Sequence, residues 1–390
     1  MTLPSAPTGR KLAVFHLAER SGPSLSLADE LAWLGSAGEL EVVVPGPGRV
    51  ADDYSGFAQV TQLDYEPLTL ARGLAGMGGD VRTFRAHIRR TRPRLVVAVT
   101  TTLPALAVAA RAERVPLLVY AAELIPDGPG PVRLAGATAL RRFTRRRAGA
   151  IVACSRAVAA QFAGRGAPPT AVAYPPIPPD PEPGDGPALR RRLGVPGDVP
   201  CVAVAGSVSR GRGQDVLVRA LPVLRDRFPG LRALVVGDPH PRPADRVYRD
   251  DLVELAHSLG VADALVLGGF VERIADVYAA ADAVAVPSRR EAFGRVAAEA
   301  LVAGTPVVAT AVGAVPEVLR AGRDALLVEP DDPGALAAAL GRVLSEPGLA
   351  ASLVASGAAR VRSEFTPERS LASFTSLVAA LAPPGAAAAG

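Results

Sequence analysis

The chain has 390 residues, 49% of them hydrophobic and 21% charged, which gives room for roughly two or three globular domains and excludes a disordered or fibrous chain. Its 43 basic and 38 acidic residues leave a net charge of +5, so an anionic partner has to be considered. Aromatic residues are only 4%, too few to stack single-stranded bases, and a nucleic-acid binder ranks low.

No apolar run approaches the ~20 residues of a membrane helix, and the first twenty residues lack the long apolar core of a signal peptide. Cys154 and Cys201 alone make neither a disulfide framework nor a zinc cluster, so the expected compartment is the cytoplasm. Lys11 is the only lysine and asparagine is absent, a coding bias that bears on how motifs are scored. Arginines cluster in Val81–Arg94 and Leu140–Arg147. They read first as solvated helix faces. The sharper reading is a patch that docks on the inner face of an anionic membrane or steers an anionic substrate.

In chain order, Lys11–His16 reads as a buried strand running into the Ser21–Ser24 loop. A helix is expected over Leu25–Leu34 and a strand over Leu40–Val44. Strands follow at Leu95–Val99, Val115–Tyr120, Ile151–Cys154 and Ala171–Tyr174, with helical patterns between them. Pro175–Gly186 (PPIPPDPEPGDG) supports neither helix nor central strand and reads as an interdomain linker. The alternation then restarts. Strands are expected at Cys201–Ala205, Leu231–Val236, Ala264–Leu267 and Ala325–Val328. Helices are expected at Ala188–Leu193, Val216–Arg227, Asp250–Gly260, Ile274–Ala281, Pro333–Leu344 and Pro367–Leu381.

Two segments carry chemistry. Gly206–Gln214 (GSVSRGRGQ) follows a strand and opens a helix. It matches a nucleotide-binding GxxxxGK[ST] loop only in part, because Gly213 stands where a metal-binding hydroxyl belongs. What it offers is a glycine turn presenting Arg212, whose fork of donors suits a diphosphate or, more plainly, an exposed turn. Ala283–Leu319 reads as strand, loop, helix and strand, and carries Glu291 and Glu299. Ser288-x-x-Glu291 also fits a capping box, and Glu299 a solvated helix position. Against those structural readings, the amides of Ala292–Gly294 suit an anion, and two carboxylates suit vicinal hydroxyls.

PSRREAFGRVAAEALVAGTPVVAT (Pro287–Thr310) resembles the signature of the family 4, or group 1, glycosyltransferases, which have the GT-B fold: two Rossmann-like α/β domains facing across a cleft. Pro287, Ser288, Glu291, Phe293, Gly294, Glu299, Gly304, Pro306 and Val307 carry the resemblance. GSVSRGRGQDVLVRA, LVVGDP and LVLGGFVERIADVYAAADAVAVPS extend it, and the Ser21-Gly22 loop, PRLVVAVTTT, VPLLVYAAEL and IVACS add a fainter match. The resemblance implies a domain over 1–174 completed by the helix 367–381, a linker over 175–186, a nucleotide-sugar domain over 187–364 and a disordered tail over 382–390. It implies a retaining, metal-independent enzyme, without a cofactor, that moves a hexose from a UDP- or GDP-sugar to a glycan, lipid-linked or small-molecule hydroxyl.

By the same resemblance Glu299 binds the ribose and Glu291 the hexose, with Ala292, Phe293, Gly294 and Arg295 around the sugar and diphosphate. Gly22, Gly206, Ser207 and Arg212 belong to the diphosphate, and Phe270 and Val271 line the base. Three positions depart from the pattern: Ser207 replaces an arginine, Arg212 a lysine, and Ala122 a histidine ahead of the acceptor-side Glu123. His16 is the expected substitute for that histidine. The rival readings are a non-catalytic nucleotide-sugar-binding scaffold and a GT-B nucleotide-sugar epimerase.

Overall fold

A computed structural model describes residues 3–67, 77–125, 131–239 and 243–382. They fall into two compact units, one reaching to Pro176 and resumed at Pro367, the other Ile177–Thr366.

The first unit runs β1 (Lys11–Phe15), α1 (Gly22–Ser26), α2 (Ala28–Gly35), β2 (Leu40–Val44), α3 (Arg49–Tyr54), β3 (Gln59–Gln62), α4 (Met77–Thr91), β4 (Leu95–Val99), α5 (Pro104–Ala112), β5 (Leu117–Ala121), α6 (Pro131–Arg147), β6 (Ala150–Ala153), α7 (Arg156–Ala160) and β7 (Thr170–Val172). All pair in parallel in the order β3-β2-β1-β4-β5-β6-β7. Strands such as LVVAV in β4 and LLVYA in β5 are buried at every position, as helix-covered parallel strands require. The winding reverses between β1 and β4, so the loops after these two strands part to either side and leave a crevice at their carboxyl ends.

The second unit runs α8 (Gly186–Leu193), β8 (Cys201–Ala205), α9 (Gln214–Arg227), β9 (Arg232–Val236), α10 (Pro243–Ser258), β10 (Leu265–Gly269), α11 (Ile274–Ala280), β11 (Ala283–Val286), α12 (Arg295–Val302), β12 (Val307–Thr310), α13 (Val315–Val318), β13 (Leu326–Val328), α14 (Pro333–Ser345) and α15 (Pro347–Glu364). Its parallel sheet has the order β10-β9-β8-β11-β12-β13, with the reversal between β8 and β11. Leu217, Leu221 and Leu224 place one face of α9 in the core over β8 and β9. Truncating one of them to Ala would cost about 2–5 kcal/mol.

The last helix, α16 (Pro367–Leu381), packs on α2, β6 and β7 of the first unit. Ser370 Oγ donates to Glu30 Oε1 at 2.5 Å, and Phe374 meets Trp33 edge-on at 6.3 Å. The proline-rich segment lies along α11: a Cβ on Gly184 would stand 2.0 Å from Ala275 O, and one on Gly186 2.2 Å from Ala279 O. Only glycine permits that approach.

The helix expected over Leu25–Leu34 is two helices divided at Leu27. The Asp250–Gly260 helix already begins at Pro243 as α10. β3 (QVTQ), α3 and α15 are additions that the sequence reading did not contain. The expected tail, 382–390, lies outside the described residues apart from Ala382.

Candidate functional site

In the second unit the loops after β8, β9 and β10 touch in succession. Gly237 N donates to Gly269 O at 2.8 Å, and a Cβ on Gly237 would come 2.1 Å from Gly206 O. The turn after β8 then presses on the end of β11. Gly213 has φ +69°, and a Cβ there would stand 1.9 Å from Pro287 O, so both conformation and space demand glycine. Arg289 N donates to Gly211 O at 2.9 Å and clips the two loops together.

That contact brings Arg212 to Glu291. Nη1 of Arg212 donates to Glu291 Oε2 at 2.5 Å, across 79 positions of sequence. Glu291 is only 8% exposed, and the same oxygen accepts from Ser288 Oγ at 3.3 Å. Thr310, at the end of β12, fixes the loop by donating to Ser288 O at 2.5 Å. The capping-box reading is therefore corrected: α12 begins at Arg295, after Gly294 at φ +101°, and Ser288 turns its hydroxyl onto the Glu291 carboxylate itself.

Glu299 lies one turn into α12 and is held at both oxygens. Oε1 pairs with Arg295 Nη2 at 2.7 Å, and Oε2 accepts from Tyr278 Oη at 2.9 Å. Burial first, and then the Glu299 charge, push the Tyr278 phenol well above its usual range, so it serves as a fixed donor. Phe293 turns its ring inward against Phe365 at 5.4 Å, so any ligand contact there comes from the backbone side of the loop. After β10, Val271 is buried, whereas Phe270 is 57% exposed beyond the Gly269 turn. Ser207 O accepts from the buried Gln214 Nε2 at 3.1 Å.

A second group braces the turn from behind. Arg289 donates to both Asp215 oxygens at 2.8 Å and to Asp331 Oδ1 at 2.6 Å. Tyr248 Oη adds a bond to Asp215 Oδ1 at 2.6 Å. Burial opposes the Asp215 charge, but the Arg289 and Tyr248 bonds outweigh it and hold the carboxyl below its ordinary range.

His16, Gly22 and Glu123 belong to the first unit. His16 follows β1, its Nδ1 3.3 Å from Val99 O. Glu123 follows β5 and is tied to the loop after β4: Oε1 accepts from Thr100 Oγ1 (2.6 Å), Thr101 N (2.7 Å) and Thr101 Oγ1 (2.5 Å), and Oε2 from Ala122 N (3.1 Å). Thr100 has φ +139°, a strained conformation for a β-branched residue, at the carboxyl end of the central strands. Gly22 opens α1 exposed, and among the described residues no atom lies within 4 Å of a Cβ added there.

The two arginine clusters fall on α4 and α6. Arg85 and Arg89 pair with Glu113, and Arg141 and Arg145 donate to Ile125 O and Ala163 O, which leaves Arg142 and Arg146 among the exposed ones. Among the described residues no helix is long and apolar enough to cross a membrane. No group of three or more His, Cys, Asp or Glu side chains there is placed to hold a metal ion.

Sequence reasoning did not find Tyr278, Thr310 or the Asp215–Arg289–Tyr248 brace. Each acts through a partner more than twenty positions away, so no local spacing marks it.

Comparison with known proteins adds a family. The model for glycosyl transferases group 1 matches residues 185–360, and that for a glycosyl transferase 4-like domain matches residues 22–178. Among curated proteins, the chain is 44% identical over 189 residues to the D-inositol 3-phosphate glycosyltransferase of Actinosynnema mirum, covering 46% of this chain and 44% of that protein. It is 41% identical over 182 residues to the protein of that name from Streptomyces griseus, covering 45% and 38%. The match thus spans less than half the length of these relatives. Among solved structures, Anabaena Alr3699/HepE in complex with UDP and glucose aligns with a TM-score of 0.77 at 24% identity, over 95% of this chain and 98% of that one. Sucrose-phosphate synthase from Thermosynechococcus elongatus aligns at 0.78 and 21%, over 95% and 99%. At such identities the likeness establishes the fold, which is GT-B.

Proposed function

Because the chain belongs to the group 1 glycosyl transferases, we propose that it moves a hexose from a UDP- or GDP-linked donor to an acceptor hydroxyl. The observation that carries this reading is the Arg212–Glu291 pair at the carboxyl ends of β8 and β11, where the strand order reverses. A guanidinium and a nearly buried carboxylate in contact suit the two ends of one bond: the diphosphate that leaves and the hexose that stays.

In this reading Glu299, oriented by Tyr278 and Arg295, accepts from the ribose hydroxyls. Glu291 accepts from the hexose, and the loop Ala292–Gly294 closes around it. Phe270 and Val271 border the base. Arg212, with Gly206 and Ser207, takes the diphosphate. His16 and Glu123 serve the acceptor side. Arginine charge stabilises the leaving nucleoside diphosphate, and the transfer is independent of metal. The bond from the anomeric carbon to the diphosphate breaks as the bond to the acceptor oxygen forms on the same face. The acceptor proton passes to the departing phosphate, and the configuration is retained.

The acceptor is a glycan, a lipid-linked sugar or a small polyol. The inositol 3-phosphate in the relatives' names makes a phosphorylated polyol the first to try. Peripheral docking of α6 on an anionic membrane face belongs to the same proposal, supported by the exposed Arg142 and Arg146. Vesicle sedimentation with and without anionic lipid reads it.

A thermal-shift panel of UDP-, GDP-, ADP- and TDP-sugars, followed by hydrolysis and transfer assays on any hit, tests the reading. Stabilisation by a UDP- or GDP-sugar with turnover supports it, and stabilisation by none sinks the donor-site assignment. Binding without turnover favours the scaffold reading, to which Ser207 and Ala122 lend support.

A further inference from the structure

The glycine turn after β8 is rich in arginine, yet nearly all of that charge is spent within the protein. Arg289 is matched by Asp215 and Asp331, Arg210 pairs with Asp251 at 3.3 Å, and Arg212 pairs with Glu291. Arg212 and Glu291 together carry no net charge. A nucleoside diphosphate ester brings about two negative charges to the turn, and a pair that is already neutral answers them only by parting.

Arg290 is different. It is exposed, and among the described residues no carboxylate, carbonyl or ring holds its guanidinium. Its place is set by its neighbours in the chain: Arg289 N is bonded to Gly211 O at 2.9 Å, and the Glu291 side chain meets Arg212. Arg290 Nη2 lies 4.0 Å from where a Cβ on Gly211 would stand, while Arg212 Nε lies 3.7 Å from where one on Gly206 would stand. Two guanidinia thus flank the two ends of one glycine turn, one neutralised and one not. The neutral Ser207 adds no charge to the turn.

We infer that Arg290 supplies the uncompensated positive charge that binds the diphosphate, making it a donor-affinity residue beside Arg212. This rests on the donor-site reading above and assigns the charge on which that site depends. A long, exposed and unpaired side chain keeps its mobility until the anion arrives, so its contribution is electrostatic and sensitive to salt.

The test is calorimetric titration of the intact protein with UDP and with GDP, at low and high ionic strength. For whichever diphosphate binds, Arg290→Gln is expected to raise Kd about tenfold at low salt and to flatten the dependence of log Kd on log salt. The thermal unfolding midpoint should stay unchanged, since no internal contact is lost. Arg290→Lys should recover part of the affinity. Ser207→Arg placed on Arg290→Gln should recover part as well, which a structural role for Arg290 would not allow. An Arg290→Gln protein that binds as tightly as the parent, with the same salt dependence, overturns the inference and leaves the donor site standing. A parent protein that binds neither diphosphate overturns the donor-site reading and this inference together.

Discussion

Tyr278 donates its hydroxyl to Glu299 Oε2 at 2.9 Å, joining α11 to α12 and settling the direction of a carboxylate that is only 20% exposed. The helix that precedes β11 thereby sets the geometry of a residue that follows it.

Tyr278→Phe keeps the ring and removes the donor. Unfolding stability is expected to fall by about 1 kcal/mol, the usual worth of one such bond. Donor affinity is expected to fall about three- to tenfold, because among the described residues Glu299 is left with Arg295 alone. Denaturant unfolding and donor titration measured together check this. Lost stability with unchanged affinity would mean that Tyr278 serves only to hold α11.

Arg212→Ala strands Glu291, leaving it with the 3.3 Å hydroxyl of Ser288 among the described residues. Breaking a buried pair costs about 3–5 kcal/mol, but Arg212 is 35% exposed, so about 1–3 kcal/mol is expected. Turnover should drop about a hundredfold as the leaving group loses its cation. Arg212→Lys should restore the stability more fully than the turnover, since one ammonium cannot reproduce the planar fork. Unfolding midpoints and initial rates for both variants read the outcome.

Gly213, in the turn after β8, and Gly22, at the start of α1, should behave in opposite ways when replaced by Ala. Gly213→Ala faces φ +69° and a 1.9 Å approach to Pro287 O, so the turn must detach from β11. A loss of about 2 kcal/mol or more is expected. Among the described residues Gly22→Ala meets nothing within 4 Å at the start of α1, and it should change stability by less than about 0.5 kcal/mol. Thermal unfolding separates the two.

Stability should also depend on pH through Glu30. Burial pushes its carboxyl up to about 7 from 4.5, with Asp29 adding to the rise and the Ser370 bond opposing it. Between those values the folded protein keeps a proton that the unfolded chain releases. The contribution is therefore complete below about pH 4.5 and lost as pH rises through 7, on the order of 3 kcal/mol in all. Lys11, lowered to about 8 by burial and Arg94, works the other way: its contribution is complete above 10.5 and fades as pH falls through 8. Glu30→Gln should remove the loss between pH 5 and 7 relative to the parent. Amide exchange across α16, which carries Ser370, is the local readout.

Much of the fold was legible because parallel strands buried on both faces must be apolar throughout. LVVAV, LLVYA, CVAVA and AVAV announce β4, β5, β8 and β11. β3 was not, since QVTQ is a half-exposed edge strand without that pattern. In the site, the pairing of Glu291 with Arg212 rather than with a helix end was hidden by a local S-x-x-E match. The decisive contact is 79 positions away, and Gly294 delays the helix to Arg295. Arg290 was invisible for another reason. Its significance lies in which neighbouring arginines are already paired, and spacing does not report that.

If the two acids of the β11–α12 segment hold a nucleotide sugar, Glu299→Ala must lose it. Calorimetric titration of the parent and the variant with the nucleotide sugar that stabilises the parent best should show Kd raised at least tenfold, with the unfolding midpoint within a few degrees. Equal affinity in the two proteins would contradict the clamp, whatever sugar the enzyme carries.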